Sequence, residues 1–239
     1  MVPKRILPAR LDSRSVQAAY GRIAPVYDLW GRATESAAQD AVLEWLEAMQ
    51  VRHVVDVATG TGALLEKLLT VFPGATGVGV DLTAAMLRKA ADRLARFDAR
   101  CALVRGDARR LPIPSESSDL VTNAYMFDLL PETEFSTVLQ ELGRVLVPGG
   151  HLALINMTTP ERPVERIWER IYQLYPALLG GCRGVSLEKY LASGRFRVLR
   201  RARVSQFAFP SEIILAAKQP GGASGKSQSV EVEFDNDPA

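Results

Sequence analysis

The residues best placed to do chemistry are small and acidic, and they recur after short apolar runs. Asp56-Val57-Ala58-Thr59-Gly60-Thr61-Gly62 follows the run His53–Val57 and precedes the helical spacing of Leu64, Leu65, Leu68 and Leu69. Small residues at such a strand-to-helix turn let a ligand approach the backbone and the helix N-terminus. The turn overlaps the dinucleotide pattern if Ala58, Gly60 and Ala63 stand for its three small positions, and it equally reads as a tight turn without ligand. Asp81 ends a second apolar run, Ala75–Val80. A carboxylate there can accept both hydrogen bonds of a ribose diol, or cap the next helix. Gly106-Asp107-Ala108 and Pro148-Gly149-Gly150 make two further turns.

These turns need strands to carry them. Cys101–Arg105, Asp119–Asn123 and His151–Asn156 complete five short strands, with helices between most of them. Thr83 suits the N-cap of the helix with Met86, Leu87, Ala90 and Leu94, and Pro131 suits a helix start. Such alternation predicts an α/β fold with a mostly parallel sheet, helices on both faces, and ligand-binding loops along the edge where strands end. Phe196–Val204 and Glu212–Lys218 read as two more strands, joined as a hairpin or bulge at the sheet edge. Ahead of the sheet, an amphipathic helix from Ser13 is ended or kinked by Pro25, and a second helix follows Thr34. The expected organisation is an N-terminal arm and lid helix over 1–33, a ligand-binding domain over 34–218, and a flexible tail over 219–239.

The chain has 239 residues, 47% of them hydrophobic and 23% charged, which suits a globular α/β domain with decorations and excludes bulk disorder. A net charge of +2 argues against nucleic acid. Five basic groups against Asp12 over residues 1–22 form a solvated face or a contact for an anionic membrane surface. No run spans a bilayer, no secretory signal is evident, and Cys101 and Cys182 make no disulfide framework, so the expected setting is cytoplasmic. His53 and His151 stand at strand starts, away from the ligand edge, and no metal-ligand spacing exists.

Taken in order, Asp56–Gly62, Gly79-Val80-Asp81, Gly106-Asp107-Ala108, Ser118-Asp119-Leu120-Val121 and Arg144–Gly150 resemble the class I S-adenosylmethionine (SAM)-dependent methyltransferases. Tyr20–Asp28 resembles the start of the ubiquinone/menaquinone-biosynthesis-like branch. The resemblance implies a Rossmann-like, seven-stranded sheet with an antiparallel C-terminal edge hairpin, and SAM as cofactor with S-adenosylhomocysteine as product. It implies that Asp56, Ala58, Thr59, Gly60 and Gly62 line the methionine side. Asp81 would take the ribose hydroxyls, Leu82 and Met86 the adenine face, and Asp107 and Ala108 the adenine edge. Asn123 and Ala124 would lie under the sulfonium, while Tyr20 and Tyr27 either close over it or pack in the core. Two departures stand out. Ala58 replaces the first glycine of the pattern, and the Phe-Gly-Leu-Arg-Asn-like run of quinone C-methyltransferases is Tyr125-Met126-Phe127-Asp128-Leu129 here.

Methyl transfer by in-line displacement chiefly needs alignment and exclusion of water. Asp128 is the expected polar group facing the acceptor, with Tyr125 to orient it; capping of the Pro131 helix is the alternative. Residues 157–195 form an acceptor-side insertion, in which Tyr172, Tyr175, Cys182 and Arg183 could line a pocket for a small or lipid-like hydrophobic acceptor. Arg183 either anchors an anionic group or lies on the surface. The rival functions are an NAD-linked oxidoreductase, which leaves the later turns unexplained, and a non-catalytic binding module.

Overall fold

A computed structural model describes residues 7–9, 34–175 and 181–220. The expected lid helix, with Tyr20 and Tyr27, and most of the C-terminal tail lie outside the described residues. The helices are α1 (Ser36–Leu46), α2 (Ala63–Val71), α3 (Ala84–Leu94), α4 (Glu132–Val145), α5 (Arg166–Leu174) and α6 (Glu188–Leu191). The strands are β1 (His53–Val57), β2 (Thr76–Asp81), β3 (Cys101–Arg105), β4 (Ser118–Ala124), β5 (Leu146–Met157), β6 (Phe196–Gln206) and β7 (Phe209–Lys218).

They form one seven-stranded sheet in the order β3-β2-β1-β4-β5-β7-β6. The first five strands run parallel, and β7 enters antiparallel between β5 and the edge strand β6. The chain leaves β1 toward β2 on one side and returns to β4 on the other. That reversal opens a crevice at the strand ends, where open α/β sheets bind ligands. Alternation along the strands feeds two cores. Val54, Leu120 and Ile155 meet Leu65, Leu68 and Leu69 of α2, while Val55, Val121 and Leu154 meet Phe135, Leu139 and Leu142 of α4. Each leucine so buried stabilises the fold by roughly 1.5–3 kcal/mol.

Some boundaries differ from the sequence reading. β5 begins at Leu146 and runs through Pro148-Gly149-Gly150, with a register shift between Ser118 and Leu120 on β4. Gly149 takes φ +78°, and pairing with β4 passes from Leu146 straight to His151, so Val147–Gly150 bulge out of the ladder and the strand resumes beyond them. Thr83 does occupy the N-cap position of α3, but its side chain makes no cap bond; the Asp81 carboxylate receives the Thr83 N–H instead.

Gly62 begins α2 at φ +79°, where a Cβ would lie 2.9 Å from Leu94 Cδ1 and 3.3 Å from Ala90 Cβ. The turn must fold tightly here so that α2 can pack on α3. Gly62→Ala should therefore lower unfolding free energy by about 1–3 kcal/mol in urea titration, from left-handed strain plus crowding. A loss below about 0.5 kcal/mol would show that this close approach is slack.

Candidate functional site

Two buried carboxylates hold the strand-end rim together. Asp56 Oδ2 accepts a hydrogen bond from Thr59 Oγ1 at 2.7 Å, and its Oδ1 accepts one from Thr122 Oγ1 at 2.6 Å. The same side chain thus fixes its own turn and ties β1 to β4. Burial pushes the Asp56 carboxyl up to about 6; the two hydroxyl donors pull it down, and the neighbouring Asp81 adds to the rise. Asp81 Oδ2 accepts the Gly60 N–H at 2.9 Å and Oδ1 accepts the Thr83 N–H at 2.7 Å. Burial raises this carboxyl too, against those donors. Thr59 N–H closes the stitch on the Val80 carbonyl at 3.0 Å.

The turn between these carboxylates is left-handed at Ala58 (φ +57°), Gly60 (φ +56°) and Gly62. The missing glycine of the motif is thus replaced at a position where alanine is strained by about 1 kcal/mol. A Cβ at Gly60 would meet nothing nearer than the Ala58 carbonyl at 4.0 Å, so the backbone there is open to a ligand. Next to it, Asn123 Nδ2 donates to the Val57 carbonyl at 2.7 Å, while its buried Oδ1 has no partner. Ala124 follows on the same rim.

A cavity of about 710 Å³ opens on this turn. Asp56, Ala58, Gly60 and Ala124 line it from the sheet, and Glu35, Ser36 and Gln39 line it from the start of α1. Glu35 and Gln39 are buried. Sequence reasoning missed both, because they stand beside the apolar stripe of α1 and look like its solvated side. The signal appears only once α1 folds back over the sheet, where Gln206 of β6 accepts the Ala37 N–H at 2.9 Å. The accessible glycine backbone, the Asp56 and Glu35 carboxylates on the cavity's lining, and Asp81 tied to the same turn suit a ligand bearing hydroxyls and a positive charge. An adenosyl sulfonium compound is such a ligand.

Farther along the rim, the Arg109 guanidinium donates to both oxygens of Asp107 at 2.8–2.9 Å and holds that carboxyl below its usual range. Arg109 also pairs with Glu134 at 3.2 Å. Leu82 and Ala108 are half-buried there. Met86 is buried on the inner side of α3.

The acceptor side departs most from expectation. Asp128 is fully buried; its Oδ2 accepts the Met157 N–H at 2.9 Å and so extends the β4–β5 ladder by one bond. Its Oδ1 has no partner, and burial holds the carboxyl well above the usual range despite Arg183 nearby. It therefore neither presents a free face to an acceptor nor caps α4, whose N-cap Pro131 has no side-chain bond. Arg183 is buried as well, not on the surface, and donates to the carbonyls of Asp128 at 3.2 Å and Leu130 at 2.6 Å. This pair secures the loop after β4. Tyr125, held at φ +55°, is buried with its hydroxyl 2.8 Å from Ser211 Oγ. Its ring begins a row with Phe209 and Trp168, at centroid distances of 6.0 and 5.4 Å. Tyr172 is buried and donates to the Pro8 carbonyl at 2.8 Å, Cys182 is half-buried, and Tyr175 is exposed. Tyr172 and Cys182 both lie near the Arg183 guanidinium. Among the described residues no group of three or more His, Cys, Asp or Glu could hold a metal ion.

Asp56 makes stability depend on pH. Its folded-state value of about 6 exceeds the ordinary 3.8, so ionisation costs the folded state and protonation returns that cost. Unfolding free energy should therefore rise by about 1.3 kcal/mol from this group as pH falls from about 7 to 5, approaching about 3 kcal/mol only below about pH 4. Asp56→Asn should lose that gain in parallel thermal melts. Equal pH dependence in both proteins would contradict the assignment.

The Methyltransferase domain family model matches residues 54–150. The chain is 33% identical over 207 residues to the demethylmenaquinone methyltransferase of Thermus thermophilus, covering 83% of this chain and 87% of that one. It is 32% identical over 149 residues to the ubiquinone/menaquinone biosynthesis C-methyltransferase of Syntrophotalea carbinolica, covering 61% of this chain and 62% of that one, less than two thirds of its length. In fold it resembles the N-methyltransferase NodS of Bradyrhizobium japonicum, solved with S-adenosylhomocysteine, at TM-score 0.62 and 17% identity over 77% of this chain and 87% of that one. With the glycine turn and its carboxylates at the crevice of a matching sheet, the chain belongs to the class I SAM-dependent methyltransferases, in the ubiquinone/menaquinone branch.

Proposed function

We propose that this methyltransferase acts on the ring of a quinol-type, lipid-like acceptor. The observation that carries the reading is that the cavity rim runs straight into an aromatic cluster. Ala124 lines the cavity of the glycine turn, and the next residue, Tyr125, begins the buried aromatic row with Phe209 and Trp168. A flat apolar acceptor entering the cavity past Ala124 would have that row at its back and the reactive end of the cofactor beside it. The likeness to the Thermus demethylmenaquinone methyltransferase supports a quinone-type ring. The absence of an Arg-Asn pair after β4 means that this chain must hold the ring with other groups.

When bound, SAM supplies an electrophilic methyl group on a positively charged sulfur. Asp81 holds the ribose diol, Leu82 the adenine face, and Asp107 with Ala108 the adenine edge. Asp56, Ala58, Thr59, Gly60 and Gly62 cradle the methionine end, and Asn123 with Ala124 lies under the sulfur. Met86 supports this set. Glu35 accepts the proton of the acceptor hydroxyl, which raises electron density at the adjacent ring carbon. With SAM bound, that carbon would take its methyl group in line as the carbon–sulfur bond breaks; the displaced ring proton would pass to water, and Glu35 would return its proton to the ring oxygen. Arg183 and Asp128 act as positioning residues for the loop that carries Tyr125. Within 157–195 the inward-facing side chains, Trp168 and Tyr172 among them, form the acceptor side, and the basic N-terminal arm adds attraction to an anionic membrane surface.

Incubation with a labelled methyl donor should add one methyl to the ring carbon of a short-chain demethylated naphthoquinol. Phosphatidylethanolamine and small thiols should stay unlabelled in mass spectrometry. Label on the lipid amine or the thiol alone would overturn the acceptor assignment. Glu35→Gln should lower kcat about 100-fold with little change in S-adenosylhomocysteine affinity, and Glu35→Asp should recover part of the rate. An unchanged kcat would remove Glu35 from the chemistry.

A further inference from the structure

Among the described residues, the large apolar side chains left exposed are Val164 (60%), Ile167 (52%), Leu174 (72%), Tyr175 (67%) and Phe207 (76%). They fall in two places: α5 with its flanking residues, and the turn between β6 and β7. The two places adjoin. Trp168 of α5 packs edge-on against Phe209, two residues past Phe207, and Arg203 of β6 donates to Glu165 and to the Thr159 carbonyl at the start of α5. Because β7 runs antiparallel to β5, pairing Ser211 with Met157, both places stand at the strand-end side that carries the aromatic row.

The pattern within each place is specific. Tyr172 and Trp168 turn one flank of α5 inward. At about 100° per residue, Ile167 and Leu174 lie within about 20° of each other on the outer flank, and Arg170 and Arg166 come next, about 60° and 100° beyond Ile167. Both arginines are exposed. Glu161 and Glu165, the acids that begin this segment, are held by Arg203 at 3.4 and 2.7 Å, and Glu169 falls on the far side from Ile167. The charge bordering the exposed apolar edge is therefore basic. At the hairpin, Gln206 pairs with Phe209, so the turn is Phe207-Ala208, with φ +49° and +59°. Glycine or asparagine ordinarily fills such a turn. Here a phenylalanine is held in left-handed strain and pointed at solvent.

We propose that α5 and the β6–β7 turn form a docking surface for a bilayer that carries anionic phospholipid. Ile167, Leu174 and Phe207 enter among the headgroups, and Arg166 and Arg170 meet the lipid phosphates. An apolar strip edged with arginine matches such an interface in both hydropathy and charge. The choice of a bilayer over other partners also rests on the lipid-like acceptor proposed above, whose aromatic row lies just beneath this surface through Trp168. Among the described residues no helix is long and apolar enough to cross a membrane, so contact here would be peripheral.

The full chain should sediment with vesicles of phosphatidylcholine mixed with phosphatidylglycerol, more weakly with phosphatidylcholine alone, and less as salt rises. The triple variant Ile167→Ser/Leu174→Ser/Phe207→Ser should lose at least about tenfold in vesicle partition, since each removes a buried apolar anchor. Arg166→Gln/Arg170→Gln should lose about fivefold per arginine on the anionic vesicles only. Both variants should keep the parent melting temperature, S-adenosylhomocysteine affinity and turnover of the short-chain quinol. Failure of the parent to sediment, or equal partition by the triple variant, overturns the proposal. So does a parent dimer that the triple variant breaks without change in vesicle binding, because a second copy would then cover the face. Loss of short-chain turnover with partition unchanged also overturns it, because the face would then belong to the acceptor pocket. If no quinol is methylated yet the vesicle results hold, the acceptor reading falls and the docking surface stands.

Discussion

The site depends on two carboxylates kept in a place that disfavours their charge. Asp81 spans the gap between two loops, with one oxygen on the Gly60 N–H and the other on the Thr83 N–H. Asp56 does the same between two strands through the hydroxyls of Thr59 and Thr122. Hydrogen bonds to charged groups are each worth about 1.5–3 kcal/mol net, which offsets part of the desolvation that raises both acids. The left-handed turn from Ala58 to Gly62 is held from both sides by these bonds. Without them, the start of α2 would not be aimed at the crevice.

That half of the molecule was readable in the amino-acid sequence because its determinants are local. A turn of small residues, an acid at a strand end and alternating apolar runs each act over a few positions, and β1 and β3 match their expected spans. Even there, local reasoning missed how much Ala58 is strained, since φ depends on the stitch to Val80 and Asp81 across the crevice. The acceptor half is built from distant segments. Arg183 reaches Asp128 across 55 residues, Ser211 reaches Tyr125 across 86, and Gln206 reaches the head of α1 across 169. An arginine beside two glycines reads as a surface residue until the loop it supports is seen, and an aspartate after a strand reads as exposed until it is found extending the ladder.

The contrast has a functional logic. The cofactor rim uses backbone groups and short side chains on rigid strand ends, which fixes a position to within a fraction of an ångström. The acceptor side uses aromatic rings, a strained tyrosine and a loop pinned from beneath by the buried Arg183, which donates to the Asp128 and Leu130 carbonyls. Removing that guanidinium would leave buried carbonyls without a donor, so the loop has one well-defined position. Ala124 and Tyr125 are where these two kinds of construction meet.

The account stands or falls on the clasp made by Asp81. Titration calorimetry of the chain and of Asp81→Ala with S-adenosylhomocysteine tests it most directly. Tight binding by the parent and a loss of about 1–3 kcal/mol in the variant are expected, since two ribose hydroxyls and the Gly60 N–H would lose their acceptor. Equal affinity in both proteins, or no binding by the parent, would contradict it.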